Sequence, residues 1–154
     1  MLPDEIGQEQ VNFQTPMNIH AYLTFNGDCR EAMTFYQQCL GGELHFQTLG
    51  DSPAGAKMPL QMKNNILHST LQLREMALMA SDIVFENGLV VGNSVSLLLN
   101  CNNEEEIKLC YERLSKGGEQ THPIEFTFWG SLFGGLTDKF GNHWLLNYQK
   151  QQKL

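Results

Sequence analysis

Two histidines, His20 and His68, are the residues whose chemistry stands out first. Both lie among alternating apolar residues, in segments that predict β-strands. Because imidazole titrates near neutral pH, the pair could act as a general base or bind an anion. Two hydrogen-bonded histidines on a partly solvated sheet face would give the same pattern. We therefore expect both to line a pocket, and we assign no catalytic residue.

Two further side chains, those of Trp129 and Cys29, could take part in ligand binding or chemistry. Trp129, beside Gly130, could form a pocket wall that stacks on a planar ligand, although large aromatic residues are more often core. Cys29 lies in the first turn of a predicted helix, where the helix dipole lowers a thiol pKa. The sequence offers this thiol no partner base, so we do not expect a nucleophile. Asp138 is expected to act as a turn residue that orders the hairpin after it.

The elements that position these residues begin with the strand that carries His20. Asn26-Gly27 then turns the chain into a helix, for which Asp28 and Glu31 have capping-box spacing. Gly41-Gly42 ends this helix, because glycine adopts the left-handed C′ conformation without steric cost. The sequence thus predicts a strand followed by a capped amphipathic helix.

Three more strands are predicted after this helix, at residues 43–49, 66–73 and 76–81. The stretch 50–64 is predicted as a long loop because it contains Pro53, Gly55 and Pro59 in close spacing. Residues 82–93 are predicted as a linker.

The same order of elements then repeats. An offset of 76 residues carries Leu23 onto Leu99 and Gly41 onto Gly117. The second copy begins with a strand and a helix capped by Asn103, and continues with strands at 124–129, 132–137 and 143–148. Two strand-helix-strand-strand-strand modules, residues 18–85 and 93–150, thus form one domain. Residues 1–17 are polar and aperiodic, and are predicted to be a flexible arm.

Several motifs carry a resemblance to a known family. These are the Phe35-Tyr36 pair in the first helix, Phe128-Trp129-Gly130, and the run Asp138-Lys139-Phe140-Gly141 followed by Trp144. With the repeat, they resemble the vicinal oxygen chelate superfamily, and more narrowly the PhnB-like branch of its glyoxalase/bleomycin-resistance group. The resemblance covers about residues 18–150.

The resemblance implies an α+β fold of paired βαβββ modules, in which eight mixed strands enclose a cleft and the helices pack outside. It also implies a homodimer. Strand alternation indicates which side chains face the cleft, and these form the predicted ligand pocket: His20, Tyr22, Thr24, His68, Thr70, Ser96, Asn100 and Trp129.

Metal-dependent members of the superfamily hold a divalent ion with four His, Glu or Gln side chains from the first and last strands of each module. The matching positions hold His20, Ser96, Met79 or Ala80, and Leu145 or Leu146. One good ligand in four does not hold an ion firmly, so no cofactor is predicted. An unconventional divalent site would use His20 first, with His68 and either Asp82 or Glu125.

Composition excludes several classes of partner. The 154 residues carry 17 acidic and 10 basic side chains, a net charge of −7, which disfavours binding to nucleic acid or to an anionic membrane. The four cysteines form no C-x-x-C pair, and no signal peptide or membrane span is evident. We therefore expect a cytoplasmic protein with free thiols.

These observations predict a PhnB-like protein that binds a small molecule without a catalytic metal. Some relatives carry a demethylubiquinone methyltransferase label, which we discount because the sequence has no glycine-rich cofactor loop. One alternative is a divalent-metal lyase, isomerase or dioxygenase of glyoxalase type. The other is a resistance protein that sequesters an antibiotic.

Overall fold

The computed structural model describes residues 16–150, so the predicted arm, residues 1–17, lies almost wholly outside the described part of the chain. Residues 16–150 form eight strands and three α-helices. The elements in chain order are β1 Ala21–Thr24, α1 Cys29–Leu40, β2 Glu43–Thr48, α2 Leu60–Lys63, β3 Ile66–Leu73, β4 Met76–Ser81, β5 Leu97–Asn100, α3 Glu104–Ser115, β6 Glu119–Phe126, β7 Ser131–Thr137 and β8 His143–Gln149.

The eight described strands form two four-stranded sheets with matching topology. The first has the order β1-β4-β3-β2 and the second β5-β8-β7-β6. In each sheet the first and last strands of the module pair in parallel, and the other pairs are antiparallel. The predicted α+β class with eight mixed strands is therefore confirmed.

The helices cover one face of the sheets and create the core. Tyr36 and Met33 of α1 are fully buried, as are Ile107 and Leu114 of α3. These side chains fall at helical spacing, so each helix buries a single apolar stripe against its sheet. The opposite sheet faces carry both polar and apolar side chains, among them Thr70, Met79 and Leu98.

A buried carboxylate joins the two modules. Tyr36 in α1 donates its hydroxyl proton to Oδ2 of Asp138, at 2.5 Å, and the indole N–H of Trp144 donates to the same oxygen at 2.8 Å. Oδ1 of Asp138 accepts the backbone N–H groups of Phe140 and Asn142. The predicted turn role of Asp138 is confirmed, and the residue also fixes the first helix to the second module.

The predicted strand at 124–129 is wrong in its position. β6 runs from Glu119 to Phe126 and includes Pro123. A proline lacks the N–H that a central strand requires, but β6 is the outer strand of its sheet and is bulged on both sides of His122. Trp129 therefore lies in the turn that follows, which the Thr127 N–H closes by donating to the Ser131 carbonyl at 2.8 Å.

The stretch predicted as a loop, 50–64, contains regular structure. Two single-turn 3₁₀ helices, Leu49–Asp51 and Gly55–Lys57, precede α2. Gly55 packs against Gly50 so closely that a Cβ there would lie 2.1 Å from the Gly50 carbonyl oxygen. The glycines of this stretch therefore allow close backbone packing as well as turns.

The two long helices are capped differently. Asn103 caps α3 as predicted, its Oδ1 accepting the Glu106 N–H at 2.8 Å. The predicted capping box of Asp28 is wrong, because its side chain makes no cap hydrogen bond. Asp82 takes that role from the end of β4, accepting the backbone N–H groups of Gly27 and Cys29 at 2.9 and 3.0 Å.

This difference predicts unequal effects of two alanine substitutions. Asn103→Ala is expected to lower the free energy of unfolding by about 1 kcal/mol, because it removes a side-chain cap. Asp28→Ala is the matched control and is expected to lower the free energy of unfolding by less than half of that amount. Urea unfolding of both variants measures the difference, and equal losses would contradict the assignment of the caps.

Candidate functional site

The sheet faces that the helices do not cover carry the candidate site. In the first sheet, Tyr22 pairs with Met79, which in turn pairs with Thr70, so that all three side chains share this face. In the second sheet, Leu98 pairs with Leu145 and belongs to the equivalent face. Tyr22 is 52% exposed, so its side chain is accessible to a ligand.

A hydrogen-bonded network crosses the first of these faces. The Tyr22 hydroxyl lies 3.1 Å from Nδ1 of His68, and the Thr70 hydroxyl lies 3.1 Å from Nε2 of the same ring. The Tyr22 and His68 rings are also in contact, with their centroids 5.7 Å apart. Both imidazole nitrogens are thus held by hydroxyls, which orients the ring and places three polar side chains side by side.

An adjoining groove of about 290 Å³ gives this face a binding volume. Its polar lining comes from Tyr22, Thr24, Asn142 and His143. Its apolar lining comes from both modules and from the segment between them: Leu23, Leu89, Val90, Val91, Val95 and Leu97. The groove therefore combines apolar surface with several hydrogen-bonding groups.

His143 is a groove residue that the sequence analysis missed. Its Nδ1 lies 2.9 Å from the Thr137 hydroxyl, and its Nε2 lies 3.2 Å from the Gly92 carbonyl oxygen. Because a carbonyl only accepts, Nε2 carries the proton, and in the neutral ring Nδ1 accepts from Thr137. No local sequence pattern marks His143, because its contact with Gly92 depends on the path of the segment between the modules.

The other predicted pocket residues are more dispersed. His20 precedes β1 and is exposed. Ser96 borders a second, mainly apolar groove of about 260 Å³ that Leu98 and Trp144 also line. Asn100 accepts a hydrogen bond from the side-chain amide of Asn147 at 3.2 Å.

Trp129 lies apart from the Tyr22, His68 and Thr70 network. Its ring packs edge-on against Phe128, with the centroids 4.8 Å apart, and it is 56% exposed in the turn between β6 and β7. The structure therefore brings Tyr22, Thr24, His68 and Thr70 together and places Trp129 elsewhere.

Cys29 is not an activated thiol, because its pKa is raised and not lowered. Burial, and secondarily the nearby Asp82 and Asp28 carboxylates, raise the pKa of the Cys29 thiol to about 11, outweighing its hydrogen bond to Ser69. The expectation that the helix dipole lowers this pKa is thus wrong. All four cysteines are free and buried.

The raised pKa predicts slow alkylation of Cys29. Iodoacetamide reacts with thiolates, so modification of the native protein is expected to be very slow at pH 8 and to accelerate only as the pH approaches about 11. Mass spectrometry of the digested protein measures it, with labelling in denaturant as the control. Rapid modification of native Cys29 at pH 8 would contradict the assignment.

The donors present do not fit the four-ligand divalent site of the superfamily. Two of the four positions that the resemblance assigns to ligands hold Met79 or Ala80 and Leu145 or Leu146, none of which is a usual ligand of such an ion. Within residues 16–150, no three His, Cys, Asp or Glu side chains gather closely enough to hold an ion. Asp82, considered for an unconventional site, instead accepts backbone hydrogen bonds on both of its oxygens.

A family model described as 3-demethylubiquinone-9 3-methyltransferase matches residues 17–147. The protein YjdN of Escherichia coli strain K12 is 32% identical over 145 residues, which cover 88% of this chain and 98% of YjdN. The chain belongs to this family. It is a PhnB-like member of the glyoxalase/bleomycin-resistance superfamily.

Solved structures agree with this placement. Protein PA1353 from Pseudomonas aeruginosa is 36% identical, with a TM-score of 0.75 over 88% of this chain and all of that one. A PhnB protein from Bacillus cereus, 24% identical, shares the fold with a TM-score of 0.66 over 86% of this chain and 99% of its own. The resemblance inferred from the sequence motifs is thus confirmed.

The family description implies a methyl donor, and the groove does not fit one. S-adenosylmethionine carries a sulfonium cation and a ribose diol, for which a carboxylate is the usual partner, but the described residues that line the groove include no carboxylate. We therefore derive no step through such a cofactor. No helix within residues 16–150 is long and apolar enough to cross a membrane.

Proposed function

We propose that this protein binds a small organic molecule on the face that carries Tyr22, His68 and Thr70, without a catalytic metal. The observation that carries the proposal is the hydrogen-bonded network of these three side chains beside an open groove. Ligand sites typically combine an apolar lining with a few polar groups held in place. This network and groove have that composition.

The network supports binding better than catalysis. Both His68 nitrogens already have hydroxyl partners within the face, which favours a fixed hydrogen-bonding surface over a free general base. The proposed site also takes in His20, just before β1, and Ser96 and Asn100, at the start and end of the β5 region, as outlying members, and it leaves out Trp129. The proposal assigns none of them a chemical step.

We also propose that the protein is a homodimer and that it is located in the cytoplasm. Four free, buried cysteines suit a reducing compartment. Exposed apolar side chains of the second sheet, Leu98 and Phe126, are of the kind that a second subunit covers. We propose dimerisation on the basis of the family resemblance.

The test is a fragment-library screen by ¹H–¹⁵N NMR, with affinities measured for wild type and Tyr22→Phe. Removing the hydroxyl frees one His68 nitrogen and deletes one polar contact, so fragments bound on this face are expected to lose about five- to tenfold in affinity. Tyr148→Phe is the matched control, since this residue packs against the core, and is expected to change affinity little.

Two outcomes would overturn the proposal. One is that no fragment gives saturable shifts at the β1 and β3 amides. The other is that elemental analysis of the tag-free protein, grown with Mn, Fe, Co, Ni and Zn, finds about one ion per chain, which would favour the metalloenzyme alternative.

A further inference from the structure

The segment between the two modules contains a short piece bounded by glycines, residues 88–92, which we call the strap. Gly88 and Gly92 have φ angles of +79° and +66°, a region that side-chain-bearing residues rarely adopt. No heavy atom lies within 4 Å of where a Cβ would stand on either residue. The glycines are thus required by backbone conformation and not by crowding.

Three apolar residues, Leu89, Val90 and Val91, lie between these glycines. Val90 is 86% exposed and Val91 53% exposed. All three nevertheless line the groove whose other side is formed by Tyr22 and Thr24. A ligand in the groove would cover apolar surface that the strap otherwise leaves in contact with water.

The strap is tied to the groove by His143. The His143 Nε2 hydrogen bond to the Gly92 carbonyl, at 3.2 Å, holds one end of the strap, and the Gly88 N–H donates to the Phe85 carbonyl at 2.9 Å at the other end. His143 is itself held by Thr137. His143 therefore holds the Gly92 end of the strap beside the groove that Leu89, Val90 and Val91 line.

The groove carries no formal charge. None of the described residues that line it is Asp, Glu, Lys or Arg. A charged ligand entering it would lose hydration without gaining an ionic partner, which is costly, whereas a hydroxyl or carbonyl could bond to Tyr22 or Thr24. The absence of Asp, Glu, Lys and Arg among these lining residues thus favours an uncharged ligand.

We infer that the strap completes the binding site and selects an uncharged small molecule that has an apolar body and a hydroxyl or carbonyl group. This inference rests on the proposed function and adds to it the class of ligand. It also disfavours a cationic antibiotic as the occupant of this groove.

Three probes that share one apolar body test the charge selection: 2-naphthylmethanol, 2-naphthoate and 2-naphthylmethylamine. In ¹H–¹⁵N NMR titrations, the neutral alcohol is expected to shift the Tyr22, Thr24 and Val90 amides and to bind about tenfold or more tightly than either charged probe. Tighter binding of a charged probe at these amides would overturn the selection, while the binding function would stand.

Val90→Asp tests the strap, with Phe128→Asp as the charge-matched control at an exposed residue away from the groove. We expect Val90→Asp to weaken binding of the alcohol at least fivefold and to favour the amine, and Phe128→Asp to change neither. Dispersed NMR spectra verify that both variants are folded.

Equal effects of the two variants would overturn the role of the strap. Library fragments that bind while all three naphthalene probes leave the groove amides unshifted would overturn the assignment of this groove. If the library also yields nothing at β1 and β3, the proposed function itself fails.

Discussion

Asp82→Ala is expected to lower the free energy of unfolding by about 3–5 kcal/mol, one of the two largest effects in the molecule. Oδ1 of Asp82 accepts the N–H groups of Gly27 and Cys29, and Oδ2 accepts that of Ile66 at 2.8 Å. Alanine would leave these backbone donors without their partner, and two of the three bonds are buried. The substitution also separates the start of α1 from β3.

Denaturant unfolding measures this loss, with Asp28→Ala as the control because it removes a nearby carboxylate that caps nothing. Asp82→Asn keeps one acceptor oxygen and is expected to fall between wild type and Asp82→Ala. A loss below about 1 kcal/mol for Asp82→Ala would contradict the structural role of this carboxylate.

Asp138→Asn is expected to lower the free energy of unfolding by about 3 kcal/mol. The two oxygens of Asp138 accept four hydrogen bonds, and an asparagine amide would present N–H groups to donors on one side. The side chain is 3% exposed, so water cannot replace the lost acceptor. Burial and the Asp138 carboxylate also raise the pKa of Tyr36, which keeps that hydroxyl protonated as a donor.

The matched comparison is Tyr36→Phe, which removes one donor and leaves the carboxylate its other three partners. In the same unfolding experiment, Tyr36→Phe is expected to lower the free energy of unfolding by less than Asp138→Asn does. A larger loss for Tyr36→Phe would contradict the central role of the carboxylate, because phenylalanine keeps the ring and removes only the hydroxyl with its hydrogen bonds to Asp138 and from Asn142.

Much of the fold was predictable from local pattern. The bounds of β3 and β4 agree with the predicted strands, and the apolar stripes identified α1 and α3. The cap of α1 was not predictable, because Asp82 lies 53 residues from the Cys29 N–H that it binds. The position of β6 was missed because Pro123 signals a break, and only an outer, bulged strand accommodates it.

The candidate site was also predictable only in part. Strand alternation placed Tyr22, His68 and Thr70 on one face, and the structure joins them by hydrogen bonds. His143 escaped prediction because its role depends on how the segment between the modules crosses the groove, which no local pattern encodes. Trp129 was expected in a strand, but β6 ends at Phe126, so Trp129 lies in the turn that follows and outside this network.

The most direct test of the account is a crystal structure of the protein with the tightest-binding neutral fragment from the screen. The account predicts electron density in the groove, within hydrogen-bonding distance of Tyr22 or Thr24 and covered by Val90 of the strap. Density for the fragment only outside this face, with the Tyr22, His68 and Thr70 network unchanged, would contradict it.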